Sequence, residues 1–274
     1  MNFQQKVVWI TGASSGIGEA LATHLYQKGA HLILSARRED ELKRVQLALG
    51  GNAKRVHVLP LDLTQPDGFS SKAATALEMF GSIDIFLNSA GISQRSLVKD
   101  TLLSVDRQLM EVNYFGPVAL TKAILPSMLM RKSGHIVIIS SLVGKFGVPT
   151  RSGYAASKHA LHGYFDSLRA EVRDEGIRVT LVCPGYINTD IILKSLTGDG
   201  QQYDKIDNVL IKGMPVTQCA RIILKGIAAQ KEEILVGGVE TTGVYVHRLF
   251  PRIFAKIVSS HNVQRITSRL SSFP

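Results

Sequence analysis

The segment from Lys6 to Gly18, KVVWITGASSGIG, constrains the fold of this chain more than any other. Apolar, β-type residues from Val7 to Ile10 run into a turn holding Gly12, Gly16 and Gly18, and a helical pattern begins at Ile17. Glycine lets a backbone turn sharply and approach a ligand closely, and the free N–H groups and positive dipole end of the next helix favour an anion. Strand, glycine loop and helix in that order point to phosphate binding. The spacing is G-x-x-x-G-x-G and not the G-x-G-x-x-G dinucleotide fingerprint, so by itself the loop could equally be a plain connection.

The same alternation continues along the chain. Strands are expected over Leu32–Ala36, Arg55–Leu59, Ile83–Leu87, His135–Ser140, Arg178–Val182 and Glu233–Val236. Helices are expected over Glu39–Leu49, Asp67–Phe80, Leu102–Met130, Tyr154–Val172 and Thr217–Ala229, with Pro117 and Pro126 as irregularities in the longest. The strands read as continuous apolar runs, the mark of a parallel sheet covered on both faces. Repeated βα units with right-handed crossovers then give an α/β fold, a Rossmann-like doubly wound sheet of about seven strands. One domain over residues 1–274 is the expectation, since open α/β sheets reach this size without splitting. Two segments break the rhythm. Asp190–Pro215 is too long for a simple connection and follows a strand's carboxyl end, where ligand-covering loops belong. The second is the tail, 244–274.

Composition narrows the function classes. Two cysteines, Cys183 and Cys219, offer neither metal-ligand spacing nor a disulfide framework and read as buried thiols in a reducing compartment. The first residues, MNFQQK, show no basic-then-apolar signal region, and no run reaches the roughly 18 apolar residues a membrane span needs, so a cytoplasmic location is expected. The formal net charge of +10 favours anionic partners. Nucleic acid ranks low among these, because the basic residues are scattered and lack interleaved aromatics.

Tyr154 and Lys158 stand four apart at the start of a helix and share one face. A phenol titrates near 10, and a cation held beside it favours the phenolate, so such a pair can shuttle a proton. Tyr/Lys pairs at this spacing are also common surface decoration. The strand before it leads into Ser141, whose hydroxyl would emerge at the carboxyl edge of the sheet, where it could hold a carbonyl oxygen.

TGASSGIG at Thr11–Gly18, NSAG at Asn88–Gly91, Asn113, Ser141, the Y-x-x-x-K of Tyr154 and Lys158, and Pro184-Gly185 together resemble the short-chain dehydrogenase/reductase family, in order and at family-like spacing over residues 6 to about 240. The resemblance implies that Gly12, Ser14, Ser15, Gly16, Ile17 and Gly18 hold a cofactor pyrophosphate and adenosine ribose. Asp62 and Leu63 would border the adenine, and Asn88, Ala90 and Gly91 would close the floor. Pro184, Gly185, Ile187 and Thr189 would line the nicotinamide. It further implies a tetrad of Asn113, Ser141, Tyr154 and Lys158: the tyrosine protonates a carbonyl oxygen, the serine orients it, the lysine binds the ribose hydroxyls and lowers the tyrosine pKa, and the asparagine holds a water that resupplies protons. The usual NNAG is NSAG here, which leaves the role of Ser89 open.

The cofactor can be argued from charge. NAD-dependent dinucleotide folds place a carboxylate after the second strand, where it bonds the ribose 2′-hydroxyl and would repel a 2′-phosphate. This chain has Arg37 and Arg38 there, two guanidinium groups suited to phosphate, so NADP(H) is expected, with Arg37 the stronger candidate.

For the loop, Ile191, Ile192, Leu193 and Leu196 suggest an apolar inner face and a bulky hydrophobic carbonyl or alcohol substrate. GKFGVPTRSGYAASKHAL and TGDGQQYDKID are similar to the dehydrogenase/reductase member seven subgroup, which implies steroid-, retinoid- or lipid-like compounds. From Pro251, Ile253, Phe254, Ile257 and Val258 form one apolar helix face beside Arg252 and Lys256, with Arg265 and Arg269 further on. Such a helix can lie on an anionic membrane or pack on protein. The resemblance also implies a homodimer or homotetramer through helices around 102–130 and 153–172. A nucleotide-binding scaffold or sensor, and a lyase or isomerase on the same fold, are the competing readings.

Overall fold

The computed structural model describes residues 1–191, 193–204 and 213–260. Its frame is a seven-stranded sheet in which every neighbouring pair is parallel. The strands are β1 (Val7–Thr11), β2 (His31–Ser35), β3 (Val56–Val58), β4 (Ile85–Asn88), β5 (Gly134–Ile139), β6 (Ile177–Pro184) and, last in the chain, β9 (Glu233–Val236). Their spatial order is β3-β2-β1-β4-β5-β6-β9. The chain first winds outward from β1 to β3, then returns to place β4 on the other side of β1. The order therefore reverses between β1 and β4, and a crevice opens at their carboxyl ends, where Thr11 and Asn88 pair in register.

Burial on both faces explains the unbroken apolar runs. Val8, Ile10, Leu32 and Leu34 point into one core with helices α1 (Gly16–Gln27), α2 (Glu39–Ala48) and α7 (Val216–Ala228). Val7, Trp9, Ile33, Ile136 and Ile138 point into the other, beneath helices α3 (Phe69–Phe80), α5 (Gly116–Met130) and α6 (Ser152–Glu171). Trp9 is fully buried, and its indole N–H reaches Ser35 Oγ at 2.8 Å, so the only tryptophan keeps its polar atom satisfied. Both cysteines are free and buried, and burial pushes each thiol up to about 12.

Three differences from the sequence expectation matter. Leu102–Met130 is not one helix: α4 (Leu103–Met110) passes through a π turn at Glu111–Phe115 before α5 begins. Pro117 sits at the start of α5, and having no N–H it cannot bond the carbonyl four residues back, that of Asn113. Pro126, by contrast, is accommodated inside α5 without interrupting it. Second, β7 (Ile187–Asn188) and β8 (Met214–Pro215) form a small parallel pair that ties the start of the long loop to its end. Third, the tail contains two short helices, α8 (Thr242–Leu249) and α9 (Pro251–Val258), which meet at Phe250. Phe254 of α9 is buried against Phe146 and packs with Leu142 and Cys183 in a third, smaller core. Residues 205–212 and 261–274, with Ile192, lie outside the described residues, and so do Arg265 and Arg269.

Candidate active site

β1 ends at Thr11 and the chain turns at Gly12, in the left-handed region at φ 67°. A Cβ there would lie 2.6 Å from the Ala90 backbone nitrogen, and one on Gly18 would lie 2.2 Å from the Gly12 carbonyl oxygen. The absent side chains thus let β1, the loop and α1 close on the β4 turn. No side chain caps α1 at Ser15, so its first-turn N–H groups stay available. Arg44 of α2 fastens the loop from behind, donating to both carboxylate oxygens of Glu19 at 2.9 Å and to the Ser14 carbonyl at 3.2 Å.

The crevice is a cavity of about 650 Å³. Gly12, Ser14, Ser15, Gly16 and Ile17 line one end, where Arg37, Arg38, Asp62 and Leu63 also reach it. Ala90, Gly91, Ser141, Tyr154 and Lys158 line the other, facing Pro184, Gly185, Ile187 and Thr189. Gly18, Asn88 and Asn113 do not line it; they hold its walls. The Thr11 hydroxyl donates to Asn88 Oδ1 at 2.5 Å, while Asn88 Nδ2 is buried without a partner among the described residues. Ser89, whose role the sequence left open, lines the cavity and donates its N–H to the Thr11 carbonyl at 3.1 Å.

Asn113 sits in the π turn and is fully buried. Its Oδ1 accepts the Ile92 N–H at 2.9 Å, and its Nδ2 donates to the Ile92 carbonyl at 2.9 Å and to Ser157 Oγ at 3.0 Å. The side chain is thereby used up in structure, and Pro117, four residues on, has no N–H to give the Asn113 carbonyl. Gly91 lies between two of the predicted groups, since a Cβ there would meet Asn113 Oδ1 at 3.0 Å and Lys158 Nζ at 3.4 Å.

Lys158 is buried, its Nζ donates to the Ile139 carbonyl at 3.0 Å, and burial pulls its pKa down to about 8. The ammonium lies 5.7 Å from the centre of the Tyr154 ring. Tyr154 is itself pushed above the ordinary phenol value by burial, with a Ser141 hydrogen bond and the Arg151 charge pulling back in part. The expected lowering by Lys158 is not among the influences on the phenol, whose net shift is upward and favours the proton-bearing form. Ser141 Oγ donates to the Pro184 carbonyl and accepts from the Val143 N–H, both at 3.3 Å, so its hydroxyl is only loosely committed.

The long loop also departs from expectation. Ile191 and Leu196 line the cavity, but so do Asp190, Lys194 and Gln202, while Leu193 does not. The inner face is mixed because only part of the loop's apolar side can turn inward once Leu196 bridges Gln94. Sequence reasoning also missed Tyr186, adjacent to Gly185, and Arg151, three residues before Tyr154; proximity to recognised motifs was the available signal. Behind the cavity, His162, Cys183 and Glu233 bring ligating atoms within 4.8 Å of one another. Ser140 Oγ already engages His162 Nε2 at 3.0 Å and Lys145 pairs with Glu233, so each end of that cluster has a partner.

Comparison with known proteins agrees with this geometry. The family model described as short chain dehydrogenase matches residues 6–198. The chain is 46% identical to the dehydrogenase/reductase SDR family protein 7-like of Drosophila melanogaster, over 94% of this chain and 81% of that protein. It is 42% identical to the dehydrogenase/reductase SDR family member 7B of Rattus norvegicus, over 93% and 80%. Among solved structures, a short-chain dehydrogenase from Streptomyces avermitilis is 29% identical with a TM-score of 0.79, covering 96% of this chain and 99% of that one. Two with TM-scores of 0.80 share the fold: a Burkholderia phymatum protein in complex with NAD, 23% identical over 92% and 96%, and a Burkholderia cenocepacia protein in complex with NADP, 22% identical over 95% and 100%.

Proposed function

The chain belongs to the short-chain dehydrogenase family, in its dehydrogenase/reductase member seven subgroup, and from that premise we propose an NADP(H)-dependent oxidoreductase acting on the carbonyl or secondary alcohol of a hydrophobic, steroid-, retinoid- or lipid-like substrate. The observation that carries this reading is the convergence of Ser141, Tyr154 and Lys158 on one cavity with the glycine loop.

A nicotinamide dinucleotide fits the residues present. The uncapped start of α1 and the close approach at Gly12 form a cradle for a pyrophosphate, which a Cβ would fill. Arg37 and Arg38 are exposed at the cavity rim and make no ion pair among the described residues. Two of the three acids that follow them are engaged elsewhere, Glu39 by Lys43 at 2.7 Å and Glu41 by Arg44 at 2.8 Å. This favours a 2′-phosphate over a bare ribose. When bound, the nicotinamide supplies or receives the hydride.

The chain's own residues handle the proton. Tyr154, a phenol whose pKa burial shifts upward, gives its proton to the carbonyl oxygen during reduction. Ser141 turns its loosely held hydroxyl to the same oxygen and fixes its position. Lys158, still mostly ammonium at pH 7, stabilises the phenolate that remains. The Asn113 carbonyl holds a water that returns a proton.

The same reading includes self-association through α4, α5 and α6, where Leu103 and Phe115 are exposed, and a cytoplasmic protein with peripheral membrane contact. Among the described residues no helix is long and apolar enough to cross a membrane. Leu249, Phe250, Ile253 and Ile257 are nonetheless exposed on α8 and α9 beside Arg248, Arg252 and Lys256, a pattern suited to an anionic lipid surface.

The test is oxidation of NADPH and NADH against hydrophobic ketones and aldehydes, and the reverse reaction with the alcohols. Turnover with NADPH, silence of Tyr154→Phe and a shift toward NADH in Arg37→Asp are expected. NADPH binding with no turnover in either direction would overturn the enzymatic reading in favour of a nucleotide sensor.

A further inference from the structure

The segment Ile92–Ser96, directly after the β4 turn, makes an unusual number of specific contacts for a loop. Its central residue, Gln94, is fully buried. The Gln94 Oε1 accepts the N–H of Gly153 at 2.8 Å and that of Tyr154 at 3.2 Å. Those are first-turn N–H groups of α6, which have no acceptor within their own helix. The residue that should cap them, Arg151, makes no side-chain cap bond; its guanidinium instead donates to Ser93 Oγ at 2.7 Å and the Gln94 carbonyl at 2.6 Å. Gln94 thus caps α6 from 59 residues away in sequence, at the turn that carries Tyr154.

The other end of the amide is equally engaged, for Nε2 donates to Ser96 Oγ at 3.0 Å and Thr101 Oγ1 at 3.1 Å. On either side of Gln94 the backbone holds the long loop: the Leu196 N–H donates to the Ser93 carbonyl, and the Arg95 N–H to the Leu196 carbonyl, each at 2.8 Å. Leu196 also lines the cavity. One buried residue therefore stands between the helix bearing the phenol, which its side chain caps, and the loop beside the cavity, which the backbone on either side of it holds.

We propose that Gln94 is a positioning residue that holds Tyr154 in register with the 193–204 loop, so that the closed loop and the aligned phenol occur together. The proposal rests on the reading of Tyr154 as proton donor, but its structural half can be tested without any substrate. Hydrogen exchange followed by mass spectrometry on the full chain reads the two segments directly. Gln94→Met keeps the length and removes every polar contact of the side chain; with the 93–95 backbone no longer anchored on α6 through that amide, exchange is expected to rise by about tenfold or more in both 152–158 and 193–204, the scale of a lost buried hydrogen bond, with β1 and β2 unchanged. Gln94→Glu keeps an acceptor for the two N–H groups, and its charge suits a helix N-terminus, so protection of 152–158 should return.

In turnover with NADPH, Gln94→Met should lower kcat by about tenfold or more while the NADPH Kd stays within about twofold, and Gln94→Glu should recover most of the rate. A folded Gln94→Met in which either segment keeps its protection overturns the proposal, as does a uniform rise across the sheet, which marks a merely structural role. Should Gln94→Met not fold, Thr101→Val, which removes one acceptor of the amide, is read by the same two segments, and no paired rise there overturns it. Intact coupling in exchange with no turnover in any variant would instead count against the oxidoreductase reading alone.

Discussion

Replacing Lys158 by methionine should stabilise the protein at neutral pH. The side chain is only 3% exposed and burial pulls its pKa from 10.5 to about 8. Below pH 8 the folded protein carries the buried ammonium and bears the full cost of that shift, about 3 kcal/mol at 1.36 kcal/mol per pH unit. Between about pH 8 and 10.5 the unfolded chain holds a proton that the folded one has released, so stability climbs with pH. Above 10.5 the cost has gone. Methionine fills similar space without charge, but it forfeits the hydrogen bond to the Ile139 carbonyl, a loss of about 1 kcal/mol. The net gain at pH 7 is then about 2 kcal/mol, or roughly 5 °C in Tm for a protein of this size. Thermal unfolding of wild type and Lys158→Met, without nucleotide, at pH 7 and pH 10.5 measures it. The variant should unfold later at pH 7 and lose that advantage at pH 10.5. An advantage that is absent at pH 7, or that does not shrink as pH rises, would refute the reasoning. The gain would come with loss of turnover, a stability cost carried for chemistry.

Three further outcomes follow from named contacts. Gly18→Ala drives a Cβ to 2.2 Å from the Gly12 carbonyl, so at an overpacking cost of about 1–3 kcal/mol NADPH should bind at least roughly tenfold more weakly; unchanged affinity by fluorescence titration contradicts the cradle. His135 and His162 are both held near pKa 4 by burial, below the ordinary 6.5, so the folded state binds fewer protons than the unfolded chain between those values. Stability should fall as pH drops from 6.5 to 4 and level off below it, and His162→Gln should flatten part of that slope in acid-unfolding curves. Lastly, co-sedimentation with phosphatidylserine vesicles should be salt-sensitive and should weaken when Phe250, Ile253 and Ile257 are changed to serine; equal binding of that variant would remove the membrane surface from α8 and α9.

Much of the site was legible early because its parts are short-range. The glycine loop, the strand leading to Ser141 and the four-residue step from Tyr154 to Lys158 each depend on local backbone geometry, and the structure brings all of them to one cavity. The helix break at Asn113 was only half legible. Pro117 announced an irregularity, but a π turn needs Gly116 pressed against Leu63, where a Cβ would lie 2.6 Å from the carbonyl oxygen. The loop's inner face misled for a related reason: an apolar count cannot tell which residues turn inward when a distant strand segment sets the register through Leu196.

By itself, then, the sequence determined the alternating elements and the parallel class of the sheet, properties of periodicity and near-neighbour spacing, while the candidate proton-handling residues came from several short motifs standing in order, as the family resemblance implies. Tertiary structure alone decided which way their pKa values shift and what holds them in place. Burial raises the Tyr154 phenol and lowers the Lys158 ammonium, and burial is a sum over the whole fold. Their helix is capped by Gln94 because two backbone N–H groups without helical acceptors need a partner, and the fold, not the adjacent chain, supplies one.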